Sequence, residues 1–390
     1  MRVRKCHVFG LWALAVAPAA FAQGAAPQQQ DGAQTPPAAT SDATPPAAAA
    51  PAPSPWTRGG VDIYLLADVY GDLNFNHPAL GYNQLYNFND KANNVHLSFA
   101  KIAFEKASGI LGFRVDAGTG RTVDVVGGAD DAPRGFRYLE QAYIEFRPPK
   151  AHGIQIDFGK FVTSAGAEVI ESNSNWNYSR SLLFALAIPY YHFGVRATIP
   201  VTKIFTAGVQ VVNGWNSLGI NNGMKTVGLV GTLTLKKGTW ANTYYTGPQQ
   251  EGLVNAYRQV FDSNLVVNPN AKTSLYINFD YGSDKVNSAA RQTWVGAAGA
   301  VRFQLNNRFA VAPRFEVFDD TNGFATGSAQ TLKEFTLTGE MKVHDGILSR
   351  LEYRRDFSDA PFFNRATDLM VAKNQSTVTL ALIAFFGPKK

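Results

Sequence analysis

From Trp56 to the C-terminus, the dominant period of the apolar residues is two. In residues 61–73 every odd position is apolar or small, whereas Asp62, Asp68 and Asp72 lie at even positions. Because successive side chains of a β-strand point to opposite faces, this alternation predicts strands with one apolar and one polar face. The chain is therefore expected to be all-β, and its architecture depends on what covers the apolar face.

The alternation recurs along the whole chain and predicts about sixteen strands, with a range of fourteen to eighteen because strand boundaries are the weakest part of such an assignment. The predicted strands are 61–73, 94–106, 110–118, 137–147, 153–162, 191–201, 204–214, 226–236, 240–247, 257–267, 273–283, 293–305, 308–319, 332–344, 347–357 and 376–386. The second of them is the poorest, since its alternation slips near Lys101. An even number of strands is what single-chain bacterial barrels require.

The predicted connections fall into two length classes. Short, turn-like pairs occur at 108–109, 237–238, 306–307 and 345–346, and long loops at 75–92, 120–136, 163–190 and 358–375. Short turns at one end and long loops at the other are typical of membrane barrels. The segment 180–187, inside a long loop, is the only useful stretch with a helical period.

A helical membrane bundle is excluded, because no run of 18 apolar residues follows residue 22. A transmembrane β-barrel is compatible with this composition, and 35 glycines, 12% aromatic and only 17% charged residues favour it. A soluble periplasmic sandwich or propeller would show the same alternation. Aromatic residues near predicted strand ends favour the barrel, because such belts mark bilayer interfaces. They are Trp56, Tyr70, Tyr190, Tyr191, Trp215, Trp240, Tyr244, Phe385 and Phe386.

The N-terminus predicts two segments outside the barrel. Residues 1–22 combine basic residues, an apolar stretch and Ala20-Phe21-Ala22, which indicates a signal peptide cleaved before Gln23. Residues 23–55 are rich in Ala and Pro and predict a disordered linker, so the barrel would span 56–390. Removal of the signal peptide lowers the formal charge from +6 to +3, which gives no reason to expect nucleic acid. It also removes Cys6, the only cysteine.

Charges of both signs occur at period two in the C-terminal strands. A charge facing lipid costs about 2–4 kcal/mol at mid-bilayer, so these residues are expected to face inward. They are Arg314, Glu316, Glu340, Arg350, Glu352 and Arg354. Two roles remain open: a salt-bridged scaffold that holds the wall rigid, or the lining of a water-filled pore.

The loop 163–190 is long for a hairpin connection and carries Glu168, Glu171 and Arg180 among Asn and aromatic residues. A long loop of this composition usually packs against the rest of the protein. We expect it to fold inward and constrict the lumen, with its charges facing the wall. The alternative is an extracellular loop folded over the rim.

Catalytic and cofactor motifs are weak in this sequence. The five histidines after the signal peptide show no ligand spacing, so no metal, no cofactor and no catalytic residue are predicted. A site assembled from separate strands of a barrel enzyme remains an alternative.

Several motifs resemble the outer-membrane β-barrel porin family described as OmpL-like. They are Gly159-Lys160-Phe161, Gly166-Ala167-Glu168, residues 175–181, Ile188-Pro189-Tyr190-Tyr191-His192 with Gly194 and Arg196, Val212-Asn213-Gly214-Trp215, and Glu352-Tyr353-Arg354 with Asp356. The resemblance runs from about residue 60 to the C-terminus. It implies an outer-membrane channel of a Gram-negative-type bacterium, with no catalytic residues to transfer.

The expected function is passive diffusion of small hydrophilic solutes and ions through a charged, loop-constricted lumen. The alternative is a plugged structural or adhesive barrel. Expected partners are outer-membrane lipids, the barrel assembly machinery, the solutes themselves and, by analogy with other porins, two further copies in a homotrimer. One departure concerns assembly, because barrels of this kind usually end on an aromatic residue, whereas Phe386 is followed by four more residues.

Overall fold

The computed structural model describes residues 54–107, 109–128, 135–219, 222–286 and 290–388. The predicted signal peptide, 1–22, lies outside the described residues, and so does the predicted linker, 23–55, except for its last two positions.

Sixteen long antiparallel strands form the body of the protein. In chain order they are β1 (Val61–Asn74), β2 (Val95–Lys106), β3 (Leu111–Thr119), β4 (Leu139–Phe146), β5 (Gln155–Val162), β6 (Tyr191–Pro200), β7 (Phe205–Val212), β8 (Thr226–Leu235), β9 (Gly238–Pro248), β10 (Tyr257–Asn270), β11 (Thr273–Lys285), β12 (Arg291–Gln304), β13 (Phe309–Asp320), β14 (Gln330–His344), β15 (Ile347–Ser358) and β16 (Asn374–Phe386). Every predicted strand is present, and its ends differ by a few residues at most.

The sheet closes on itself. Each strand pairs with its neighbours in the chain, and β16 pairs with β1 in a ladder that runs from Thr377 opposite Asn74 to Phe386 opposite Leu65. Closure leaves no long strand with an unpaired edge. The prediction of an up-and-down barrel of about sixteen strands is therefore confirmed.

The two faces of the wall differ as the alternation predicts. On β13, Phe309 and Phe315 are exposed, whereas Arg314 and Glu316, one position away, are buried. The same pattern of exposed apolar and buried polar side chains follows the other strands, for example around Leu351 on β15. The exposed apolar face is the outward face of the barrel, and the polar face points inward.

The longest connections lie at one end of the barrel. They are 75–94, 120–138, 163–190, 213–225 and 359–373, whereas the turns at the opposite end include 236–237, 271–272 and 345–346. The loop 359–373 contains a short hairpin, Phe363–Arg365 with Asp368–Ala372. The loop 163–190 contains a π-helical turn, Leu183–Ala187, inside the segment with a helical period.

The loop after β3 contains an α-helix that the sequence did not predict, α1 (Arg121–Gly128). Its valines and its two terminal glycines have low helix propensity. Burial of Val123 and Val126 supplies the stability that propensity does not, so packing overrides the local signal. No helix among the described residues is long and apolar enough to cross a membrane.

The irregular alternation of β2 has a structural cause. The pairing of β1 with β2 shifts by one residue between Asp68 and Val69, because Ser98 is inserted as a β-bulge. Two residues on the bulged strand oppose one on its partner, so the side chains change phase at this point. The bulge turns Lys101 inward, where it is buried.

The predicted aromatic belt is only partly correct. Trp240 and Phe386 are exposed, as a lipid-facing belt requires. Tyr70, Tyr190 and Tyr191 are instead buried, so the prediction was wrong for them. Tyr70 lies at an inward position of β1 and contacts Tyr178 of the loop 163–190, with 5.9 Å between ring centroids. The protein uses these aromatics for internal packing.

Candidate functional site

The predicted charged residues come together on three neighbouring strands. Arg314 and Glu316 lie on β13, Glu334 and Glu340 on β14, and Arg350, Glu352, Arg354 and Asp356 on β15. All occupy inward positions, and the register sets Glu340 opposite Arg350 and Glu334 opposite Asp356. At the first pair, strand pairing alone brings a carboxylate beside a guanidinium group; at the second it brings two carboxylates together, which Arg314 and Arg354 approach from neighbouring positions.

We call Arg314, Arg350 and Arg354 the arginine wall. Their side chains are at most 1% exposed. Arg314 Nε lies 3.0 Å from Glu316 and 3.2 Å from Glu334, and Arg350 Nη2 lies 2.7 Å from Glu340. Arg354 Nη2 lies 2.7 Å from Asp356, so each guanidinium has a carboxylate partner, as a buried charge requires.

The same guanidinium groups donate to backbone carbonyls of the loop 163–190. Arg350 donates to the carbonyls of Ser172, at 2.6 Å, and Asn175, at 2.5 Å. Arg314 Nη1 donates to Ser179 O at 2.7 Å. Arg354 Nη1 donates to Arg180 O at 2.8 Å. Charge-assisted bonds are about twice as strong as neutral ones, so the arginine wall holds the backbone of the segment 172–180 firmly.

One glutamate of the barrel wall and one glutamate of the loop add further bonds to the contact between the arginine wall and the loop 163–190. Glu352 of the wall accepts the backbone N–H groups of Tyr178, at 2.6 Å, and Ser179, at 2.8 Å. Glu168 of the loop accepts the N–H of Ser181 at 2.6 Å and pairs with Arg314 at 2.8 Å. Carboxylates that receive backbone donors in this way fix the path of the loop.

Arg180 bonds within its own loop. Its guanidinium donates to the carbonyls of Val169, at 3.0 Å, Tyr178 and Ile170. It is 3% exposed, and its carbonyl, rather than its side chain, meets Arg354. The side chain therefore closes the loop on itself, whereas we expected its charge to face the wall.

Glu171 contacts another part of the barrel wall, strands β2 to β4, in a group that we call the lysine cluster: Lys101, Asp116, Glu140 and Glu171. The ammonium of Lys101 lies 3.0 Å from both Asp116 and Glu140 and also pairs with Glu171. Burial raises the pKa of the Glu171 carboxyl, but the ammonium outweighs burial, and the pKa lies below its usual range. Glu171 is therefore ionised at neutral pH.

The three carboxylates of the lysine cluster have oxygen atoms within 4.8 Å of one another, a spacing that a metal ion could use. Lys101 pairs with all three, however, and Arg114 Nε lies 2.8 Å from Asp116, so these carboxylates already have cationic partners. The cluster is best described as an ion-pair network around a lysine.

The sequence did not identify the lysine cluster. The sequence contained one hint of it, the break in the alternation near Lys101, and the β-bulge at Ser98 in the paired sheet explains that break. Asp116 and Glu140 lie on β3 and β4, at positions that become neighbours of Lys101 only when the sheet forms.

The sequence profile of the family described as beta-barrel porin-2, OmpL-like, matches residues 60–386. The chain belongs to this family. Membership places this OmpL-like porin among β-barrel proteins of the outer membrane. No curated protein sequence matches it.

Solved porin structures share the fold of this OmpL-like porin at low sequence identity. The anion-selective porin from Comamonas acidovorans is 9% identical, with a TM-score of 0.55 over 84% of this chain and 99% of that chain. The outer membrane channel DcaP of Acinetobacter baumannii is 8% identical, with a TM-score of 0.59 over 84% and 97%. The trimer form of OmpT from Vibrio cholerae is 9% identical, with a TM-score of 0.53 over 84% and 99%. At such identities the likeness concerns the fold alone.

Proposed function

We propose that this porin lets small hydrophilic solutes and ions diffuse passively across the outer membrane, and that the loop 163–190 lies in the lumen and narrows it. The hydrogen bonds from the arginine wall to the loop backbone carry the proposal. Their donors are inward-facing side chains, so a loop bonded to them lies against the inner surface. The solute gradient supplies the driving force.

We assign different roles to buried and partly exposed charges. The arginine wall, Glu316 and Glu352 are almost fully buried and hold the loop in place. The side chains of Glu171 and Glu340 retain 21% and 12% exposure, so these carboxylates face the water that ions cross. Glu168 and Arg180 stabilise the loop from within. Different residues thus hold the loop in place and line the path of the ions.

Conductance of the purified, refolded mature protein in a planar bilayer tests the proposal. An open pore predicts steady conductance steps. A correctly folded barrel that shows none would contradict the open-pore proposal.

One observation favours a second candidate, a barrel plugged by its loop. Inward-facing side chains beside the loop are almost inaccessible, among them Glu352 and Arg354 at 1% and Thr336 at 0%. In this case the wild-type protein would be silent, and conductance would appear only after the loop is removed. A plugged barrel would serve a structural or adhesive role.

We further propose that the protein forms a homotrimer, which the trimer form of one similar structure supports. We also propose that it acts as a channel rather than as an enzyme, and that the barrel assembly machinery inserts it among the lipids of the outer membrane. A mass measurement in detergent distinguishes trimer from monomer, and an esterase and protease screen tests for catalysis.

A further inference from the structure

The outward face of the barrel carries an unusual pair of charges. In the described barrel strands, two accessible charged side chains point outward at positions three or more residues from a strand end. They are Lys333 on β14 and Arg355 on β15. Their neighbours on the same face, Phe335 and Phe357, are exposed apolar side chains. A charge on the lipid-facing surface is unfavourable, and the penalty falls towards the membrane interface.

The two charges are neighbours. Lys333 pairs with Phe357 across the strands and Arg355 with Phe335, so the two basic residues lie on a diagonal of one face. Diagonal positions are roughly 7–8 Å apart. Both residues lie close to the strand ends at which the longer connections begin. Two like charges are thus held together near that rim.

Arg355 has unused hydrogen-bonding capacity. Its Nη1 donates to Ser376 Oγ at 3.3 Å, and the Tyr353 hydroxyl lies 3.3 Å from the same oxygen. A guanidinium has five N–H donors, so this bond leaves most of them free for another acceptor. No ion pair among the described residues of β14–β16 includes Lys333 or Arg355.

Two carboxylates lie on the rim side of the pair, and each accepts a backbone N–H group. Asp319 accepts the backbone N–H of Thr321 at 3.0 Å. Asp359 accepts the backbone N–H of Thr331 at 2.9 Å. Both are diagonal neighbours of Lys333 on the rim side, whereas the residues opposite Arg355 are Phe335 and Ser376, so Arg355 has no carboxylate directly across from it.

We propose that Lys333 and Arg355, with the hydroxyl groups of Tyr353 and Ser376, bind the phosphate of a lipid headgroup in the outer leaflet. Two adjacent cations match a phosphate, and an arginine fork binds its oxygens in a bidentate manner. The acyl chains would lie against Phe335 and the other apolar side chains below it. Because long loops mark the external side of such barrels, the lipid belongs to the outer leaflet.

Binding of a phosphorylated glycolipid tests this proposal. The refolded mature protein in non-ionic detergent is titrated with lipid A, and bound lipid is counted by native mass spectrometry. The test variant is Lys333→Leu with Arg355→Leu, because leucine suits a lipid-facing position. The matched control is Lys236→Ala with Lys272→Ala, two exposed lysines in turns at the opposite end of the barrel.

We expect the test variant to bind lipid A at least about tenfold more weakly and the control to bind like wild type, since each basic residue near anionic lipid contributes about a factor of five. Dephosphorylated lipid A should bind wild type weakly. Millimolar inorganic phosphate should not compete, which separates a lipid headgroup from free phosphate. Wild-type affinity in the double variant, or equal binding of the dephosphorylated lipid, would overturn the proposal.

Resistance of the folded barrel to detergent on gels verifies that each variant is folded. Lipid binding is measured independently of channel conductance, so a silent channel would not affect this test.

Discussion

The segment 171–180 is held on two sides, and the two contacts differ in kind. On one side the arginine wall donates to backbone carbonyls of the segment. On the other side, in the lysine cluster, one loop side chain meets one wall ammonium. Backbone-directed bonds depend on the shape of the loop, whereas the lysine contact depends on the identity and ionisation of Glu171. The first contact should therefore tolerate changes in loop sequence and pH better than the second.

Removal of the loop should have the largest effect. If residues 168–180 are replaced by a short Gly-Ser connector, both contacts disappear and the lumen widens. We expect conductance to rise severalfold over wild type in planar bilayers, or to appear for the first time if wild type is plugged. Unchanged conductance in a correctly folded variant would show that the loop does not obstruct the lumen.

Arg314→Ala should destabilise the barrel most among single substitutions. It leaves Glu168, Glu316 and Glu334 without their shared partner. Breaking a buried ion network by removing one partner costs about 3–5 kcal/mol. Urea unfolding in detergent measures the change.

The exposed pair Lys342–Asp345 provides the control for this experiment. Lys342→Ala should change the free energy of unfolding by less than about 1 kcal/mol, because exposed ion pairs contribute little. Equal effects of the two substitutions would contradict the distinction between buried and exposed pairs.

The double substitution Arg350→Ala with Arg354→Ala should shift ion selectivity towards cations. It removes two positive charges, leaves the lining carboxylate of Glu340 without its Arg350 partner, and removes the bonds from both arginines to the carbonyls of the loop. Reversal potentials in a salt gradient measure the shift. Wild-type potentials would argue that neither residue influences the field along the pore.

Glu171→Gln should have the smallest effect. Its dependence on pH should distinguish the contact at the lysine cluster from the contact at the arginine wall. The lowered pKa of Glu171 means that the carboxylate contributes stability above its unfolded pKa of about 4.3, and that this contribution is lost as pH falls through the folded value. Above pH 5 we expect faster hydrogen exchange in the variant around residue 171, by about 1 kcal/mol of local stability. The difference from wild type should begin to shrink below about pH 4.3 and should vanish once the pH falls below the folded pKa, whereas exchange at Ser179 should stay similar in both proteins. A difference that persists at low pH would exclude the ionised carboxylate as its cause.

Period-two alternation was sufficient to predict each of the sixteen strands, because every barrel strand separates the same two environments. It failed where local pattern and packing disagree. Helix α1 has a sequence of low helix propensity and forms because Val123 and Val126 are buried. Tyr70 and Tyr191 were expected at the membrane interface, but both are buried: Tyr70 faces inward, and the Tyr191 hydroxyl donates to the carbonyl of Asn216 in the loop 213–225.

The inward orientation of Arg314, Arg350 and Arg354 follows from the sequence, because a charge on the opposite face would lie in hydrocarbon. The carbonyl that each of them binds does not follow. Arg354 and its loop partner Arg180 are 174 positions apart, and periodicity carries no information about pairing over such a distance. The lysine cluster likewise depends on one inserted residue, Ser98, whose effect exists only in the paired sheet. The sequence by itself determined the strands and, outside the bulge in β2, which face their side chains occupy, since these are local properties. Closure of the barrel and packing of the loop decided which charges meet.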